Sequence, residues 1–216
     1  RQAEIALLYE QSNLKRMLEK ENFGTLSYSF FQGDELTSYR QAVEKCKNFC
    51  TNFKTSYQNL FFYGTVGTGK TFLTNCIAKE CIEQGCSVLY FSAASLFDLL
   101  ARNTFDYRAR EELSALCADL YGCDLLVIDD LGTETATTVT LSHFFTCLNE
   151  RLLRQKSVIR TEFFPELPAI LNSVNSPALI FVCVKRYPQS RARSADTDIQ
   201  NINFYLQKVR NFHDGT

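Results

Sequence analysis

The chain has 216 residues, of which 22% are charged, and a formal net charge of -1; this length suits one α/β domain with a helical extension, and the charge balance excludes a strongly basic polyanion binder. No apolar run approaches the roughly 20 residues of a membrane helix. Nine cysteines without a C-x-x-C pair or secretory signal argue against a disulfide framework, so a soluble, cytoplasmic protein with reduced, packed thiols is expected. The chain opens on Arg1, as the later part of a longer protein would.

Residues 3–19 place Ile5, Leu7, Leu8, Leu14 and Leu18 among charges, the pattern of an amphipathic helix. The aromatic residues Phe23, Tyr28, Phe30 and Phe31 follow, broken by Gly24 and Gly33. A second helix is predicted over residues 38–53, where Ala42, Val43, Cys46, Phe49 and Cys50 recur every three or four positions. Leu60, Phe61, Phe62 and Tyr63 form a short apolar strand ending at Gly64, and a helix continues to about Glu83 with Gly85 placed to stop it.

A second strand is predicted over residues 87–91, helices over 94–101 and 108–120, and a third strand over 125–129. A long helix over 138–153 precedes a fourth strand over 157–159. Strands alternating with helices of this length predict a parallel sheet covered on both faces. Beyond Lys156 the composition changes. All four prolines, Pro165, Pro168, Pro177 and Pro188, fall there, and only a strand over 178–184 and a helix over 199–209 look regular. The expected organisation is a helical linker region (1–54), a core of alternating strands and helices (55–156) and a divergent, poorly ordered C-terminal segment (157–216).

Gly64-Thr65-Val66-Gly67-Thr68-Gly69-Lys70-Thr71 matches the phosphate-loop pattern G-x-x-x-x-G-K-[ST]. Its glycines let main-chain amides close on phosphates, and the helix that begins near Lys70 adds its positive dipole end. Lys70 is expected at the β- and γ-phosphates of ATP, Thr71 at Mg2+, and Phe72 beside the nucleotide at the start of the helix. Leu125-Leu126-Val127-Ile128-Asp129-Asp130 supplies a buried strand with two carboxylates at its C-terminal end, where open α/β sheets bind ligands. Asp129 is the expected second Mg2+ ligand, and Asp130 is expected to orient the attacking water; Lys70, Asp129 and Asp130 are thus the candidate catalytic residues.

Other residues admit two readings. Phe23, Tyr28, Phe30 and Phe31 either stack on adenine or pack the first helices onto the sheet, and packing is favoured. Lys15, Arg16 and Lys20 either meet DNA phosphates or form a solvated face. The pairs His143 with Cys147 and Cys46 with Cys50 have the spacing of half a metal site, but a structural site needs about four ligands, which favours ordinary packing.

These motifs and their order resemble the DnaC-type replicative-helicase loaders of the AAA+ class, and are similar to the IstB-type helper ATPases of transposable elements. The likeness covers residues 8–156. It includes Glu10-Gln11-Ser12-Asn13-Leu14, Glu21-Asn22-Phe23, the Asp-Asp-Leu-Gly stretch within 125–134, and Asn149-Glu150-Arg151-Leu152-Leu153. It implies an AAA+ P-loop fold with sheet order 5-1-4-3-2, ATP-dependent self-assembly, contact with single-stranded DNA, and delivery of a replicative DNA helicase. It further implies a phosphate-sensing asparagine at the end of the fourth strand, where this chain has Glu162, and an arginine finger. Arg186, Arg191 and Arg193 match no finger context. The fourth strand therefore reads as cut short at Ile159, with a change of reading frame or a recombination beyond it. Three functions follow as expectations: a helicase-loading ATPase, a transposition helper, or a remnant that binds nucleotide without turnover.

Overall fold

The computed structural model describes residues 14–105, 110–131, 137–162 and 179–183. The elements run α1 (Leu14–Lys20), α2 (Gly33–Asn52), β1 (Asn59–Tyr63), α3 (Lys70–Glu83), β2 (Val88–Ser92), α4 (Ala93–Phe105), α5 (Arg110–Gly122), β3 (Leu125–Leu131), α6 (Thr138–Leu153), β4 (Ser157–Glu162) and β5 (Leu179–Cys183). The five strands form one sheet of order β2-β3-β4-β1-β5. Every neighbouring pair is parallel, which gives the order 5-1-4-3-2 that the resemblance implies.

Alternation along β3 divides the core into two layers. Leu125 and Val127 face one layer, built with Val43, Cys46 and Phe49 of α2 and Leu73 and Ile77 of α3. Leu126 and Ile128 face the other, built with Leu96 and Leu100 of α4, Leu120 of α5 and Phe144 of α6. Cys46, Cys50 and Cys147 are buried in these layers. Helix α3 ends where Gly85 takes φ +81; the Cys86 amide then donates to the Cys81 carbonyl at 3.0 Å, closing the last turn as a left-handed glycine allows. Helix α6 begins with a reciprocal cap: Thr140 N–H donates to Thr137 Oγ1 at 3.2 Å, and Thr137 N–H to Thr140 Oγ1 at 2.9 Å.

Arg151 explains how α6 is fixed to the sheet. Its side chain is 0% exposed. Nη1 donates to the Leu120 carbonyl and to Cys123 Sγ (3.0 Å), and Nη2 to the carbonyls of Ser157 (2.7 Å) and Asp124 (3.4 Å). The guanidinium thus donates to carbonyls at the end of α5 and at the starts of β3 and β4, tying all three to α6.

One expectation is corrected. Strand β4 does not stop at Ile159: it pairs with β1 through Glu162, which lies opposite Tyr63. Arg160 interrupts the apolar run, but its guanidinium sits 5.7 Å from the centre of the Phe61 ring, a cation–π placement that keeps the residue in the sheet. Strands β4 and β5, both from beyond residue 156, lie in the same sheet as β1, β2 and β3. The predicted strand over 178–184 corresponds to β5. The predicted helix over 199–209, the first turns of the helix over 3–19, the Gly132 to Glu134 part of the Asp-Asp-Leu-Gly stretch and the three downstream arginines lie outside the described residues.

Candidate nucleotide site

Strand β1 leads into the loop 64–69 with Leu60, Phe61 and Phe62 fully buried, so the loop starts from a rigid platform. Two side chains brace it from within. Thr68 is buried and its Oγ1 donates to the Thr65 carbonyl at 2.9 Å. Lys70 Nζ donates to the carbonyls of Gly64 (2.8 Å) and Thr65 (2.9 Å), arching over the loop it closes. Val66 and Gly67 stand exposed at the tip. Gly69, the N-cap residue of α3, has φ +88 and brings no side chain to the first helical amides, so that end of the dipole faces the loop. Thr71 and Phe72 follow in the first turn, both half-buried.

A Cβ on Gly69 would lie 3.1 Å from both Cε2 and the hydroxyl oxygen of Tyr39. Tyr39 is 3% exposed, stacks on Phe31 with ring centres 4.0 Å apart, and meets Tyr28 edge-on at 6.2 Å. Tyr28 and Phe31 therefore pack α2 against the loop, and Phe23 packs against the same core, which is the packing alternative of the sequence reading. Phe30 is 70% exposed. Arg16 and Lys20 are exposed on α1.

Strand β3 brings the carboxylates to this loop. Thr71 Oγ1 lies 3.3 Å from Asp129 Oδ1, so the two residues expected to share Mg2+ meet across α3 and β3. Both contribute oxygen, the donor type a small hard divalent cation takes. Asp129 is buried and held from either side: Tyr90 of β2 donates its phenol to Oδ2 at 3.0 Å, and Thr161 of β4 donates its hydroxyl to Oδ1. The β3–β4 register shifts between Ile128 and Leu131. Within that bulge Asp130 adopts φ +57, a left-handed conformation that aspartate tolerates better than most residues, and its amide donates to Thr161 Oγ1 at 2.8 Å. The bulge turns the Asp130 side chain outward, and it is exposed.

The charges of the site feel one another. Burial pulls the Lys70 ammonium below the ordinary lysine value, and Asp130 and Asp129 act in the opposite sense. Burial, followed by the charge of Asp129, pushes the Asp130 carboxyl above its ordinary range against the pull of Lys70. Burial first and Asp129 second push the Tyr90 phenol above its ordinary value, keeping it a donor.

The loop that follows β1 and the acids Asp129 and Asp130 of β3 thus meet at the C-terminal ends of the strands. Tyr90 and Thr161 were missed by the sequence reading. Neither belongs to a motif, and only the adjacency of β2, β3 and β4 brings them to Asp129; the one available signal was a hydroxyl residue near the end of a strand predicted to be buried. His143 and Cys147 gain no further ligand: among the described residues, no group of three or more histidines, cysteines or carboxylates could hold a metal ion.

The family model described as "IstB-like ATP binding protein" matches residues 11–166, past the end of the resemblance at residue 156. Among curated proteins, the replicative helicase loader DnaC of Escherichia coli (strain K12) is 32% identical over 101 residues, 47% of this chain and 40% of that protein. The chromosomal replication initiator protein DnaA of Aquifex aeolicus (strain VF5) is 30% identical over 120 residues, 56% of this chain and 29% of that protein. The chain therefore spans less than half the length of these relatives. A crystal structure of the DnaC helicase loader superposes with a TM-score of 0.60 at 18% identity, covering 78% of this chain and 99% of that one. One of DnaI gives 0.58 at 20% identity, covering 78% and 93%. The structural likenesses bear on the fold alone.

Proposed function

The chain belongs to the family of IstB-like ATP-binding proteins, and from this premise we propose that it binds Mg-ATP on the loop 64–71, hydrolyses it, and uses the cycle to load a ring helicase on single-stranded DNA. The observation that carries the reading is the contact of Thr71 Oγ1 with Asp129 Oδ1 at 3.3 Å beside the phosphate loop. In this reading Gly64, Thr65, Val66, Gly67, Thr68 and Gly69 wrap the phosphates with their amides, while Phe72 lies beside the nucleotide. Lys70 exchanges the carbonyls of Gly64 and Thr65 for phosphate oxygens. Thr71 and Asp129 hold Mg2+, which when bound neutralises charge on the phosphates. Asp130, turned outward by the bulge, orients the attacking water. Phosphoryl transfer depends mainly on positioning and charge neutralisation, which this set of residues provides.

The helicase-loading role draws on the likeness to DnaC, and the single-stranded DNA on a solved structure of the replication initiator DnaA bound to AMPPCP and single-stranded DNA. A cytoplasmic location and ATP-dependent self-assembly belong to the same reading. Among the described residues, no helix is long and apolar enough to cross a membrane.

Nucleotide binding and phosphate release of the wild type, Lys70→Ala and Asp130→Asn, each with and without single-stranded DNA, test the site. Lys70→Ala should lose tight ATP binding. Asp130→Asn should keep binding and lose turnover, and because asparagine also tolerates φ +57 the backbone should stay in place. Equal phosphate release by wild type and Asp130→Asn removes Asp130 from its role. Wild-type turnover at background despite tight binding identifies a nucleotide-binding remnant instead. A second reading, a transposition helper, follows from the resemblance to IstB-type helper ATPases; a transposase gene beside this one, rather than replication genes, would select it.

A further inference from the structure

We propose that Thr161 and Tyr90 are positioning residues of this site: their hydroxyls hold the Asp129 carboxylate facing Thr71, and Thr161 also fixes the backbone turn that presents Asp130. The proposal rests on the metal-holding role given above to Asp129.

A carboxylate at the end of a strand can rotate about two side-chain bonds, and only one orientation aims an oxygen at Thr71. Asp129 receives donors from both flanking strands. Tyr90 of β2 takes Oδ2 at 3.0 Å, and Thr161 of β4 takes Oδ1, the oxygen that also meets Thr71. With one oxygen tied to each neighbouring strand, the plane of the carboxylate is set by the sheet itself.

Thr161 shares a strand face with Ile159, which is buried in the first core layer. It is itself 0% exposed. A hydroxyl in such a position is unfavourable unless paired, and this one is paired twice, donating to Asp129 and accepting from the Asp130 amide at 2.8 Å. The second bond replaces a ladder bond lost where the β3–β4 register shifts. One side chain therefore sets both acids: Asp129 through its oxygen and Asp130 through its main chain. The end of β4 acts on the nucleotide site through Asp129, with no need to touch phosphate.

The test is the Mg2+ dependence of nucleotide binding, read by titrating Mg2+ into full-length protein with a fluorescent ATP analogue, for wild type, Thr161→Val, Thr161→Ser and Tyr90→Phe. Partners that orient a metal-binding side chain typically matter by about 10-fold or more in metal affinity. Thr161→Val and Tyr90→Phe should each raise the Mg2+ concentration required by about that factor, Thr161→Ser should restore the wild-type value, and affinity for the analogue in EDTA should be the same for all four. A role confined to packing would leave the Mg2+ requirement unmoved. Should Thr161→Val fail to fold, Tyr90→Phe decides alone, since its ring remains. A requirement within about twofold of wild type in the folded variants overturns the proposal. Binding by the wild type that ignores Mg2+ refutes instead the metal-holding role of Asp129.

Discussion

Replacing Gly69 by alanine tests the junction of loop and helix most directly. At φ +88 an alanine carries a left-handed penalty of about 1–2 kcal/mol. Its Cβ would sit 3.1 Å from Cε2 and the hydroxyl oxygen of Tyr39, closer than ordinary van der Waals contact, so loop or ring must yield by a few tenths of an ångström. The ring is stacked on Phe31 and almost fully buried; overpacking of this kind typically adds about 1–3 kcal/mol. The sum, about 2–5 kcal/mol, corresponds to a melting temperature lower by roughly 4–20 °C in a chain of this size. If the loop yields, at least one amide leaves hydrogen-bond range of a phosphate; such a bond is worth about 1.5–3 kcal/mol, roughly 10–100-fold in affinity. Calorimetric titration of ATP into Gly69→Ala, Tyr39→Leu and the double variant separates the two contributions. Tyr39→Leu removes both atoms that meet the new Cβ, so the affinity lost to Gly69→Ala should shrink in its presence, while the backbone penalty persists in the melting curve. Full additivity of the two substitutions, or wild-type affinity in Gly69→Ala, would refute the reasoning.

Two further predictions concern the opposite end of the sheet. Arg151→Leu takes the guanidinium donor from the buried carbonyls of Leu120 and Ser157, at about 1–3 kcal/mol each. Relief from burying a guanidinium offsets part of this, so thermal denaturation should show a net loss of roughly 2–4 kcal/mol, or about 4–16 °C; an unchanged midpoint would show that α6 is held by its apolar contacts alone. Asp124 accepts from Lys156 Nζ (2.7 Å) and from the amide (2.9 Å) and hydroxyl (2.8 Å) of Ser87. Burial acts to raise its carboxyl, yet the Lys156 and Ser87 bonds outweigh it and the net direction is down. A carboxyl held below its unfolded value near 3.9 stabilises the fold above that pH and stops doing so as pH falls through its folded value. Asp124→Asn should therefore melt below wild type at pH 7 and converge with it in strong acid; an equal gap at both pH values would contradict the assignment.

What could be read from the sequence was set by local physics. The loop 64–71 and the run 125–130 were legible because glycine spacing, a lysine, a hydroxyl and terminal acids recur at fixed offsets whatever surrounds them. Strand order came through the resemblance, since no residue pattern states which strands are neighbours. For the same reason Tyr90 escaped notice: its meaning depends on β2 lying beside β3. The start of α2 was placed at residue 38, whereas the helix begins at Gly33. Asp34 and Glu35 in its first turn favour the positive dipole end and were the unread cue. For the aromatic run 23–31 packing is favoured over base stacking on sequence grounds, but its partner, Tyr39 of the next helix against Phe31, is a tertiary contact that no local pattern states.

Strand β4 shows why fold and site cannot be separated here. At its entry the Ser157 carbonyl accepts from Arg151, and the Val158 amide donates to Asn59 Oδ1 at 2.7 Å. At its exit Thr161 engages Asp129 and Asp130. Between them Val158 and Ile159 face opposite core layers. Because side chains alternate, sliding the strand by one residue would turn Thr161 and Ile159 to the wrong layer, bury Arg160 where Thr161 now sits, and break the contacts at both ends. The polar contacts at entry therefore fix a register whose consequence appears several residues later, where it delivers a single hydroxyl to the two acids. An apolar run continued through residue 161 would have filled the core and left the Asp129 carboxylate held from the flanking strands by Tyr90 alone. Arg160 and Glu162 make β4 hard to recognise from its composition, and Thr161 between them is the residue that joins it to the candidate site.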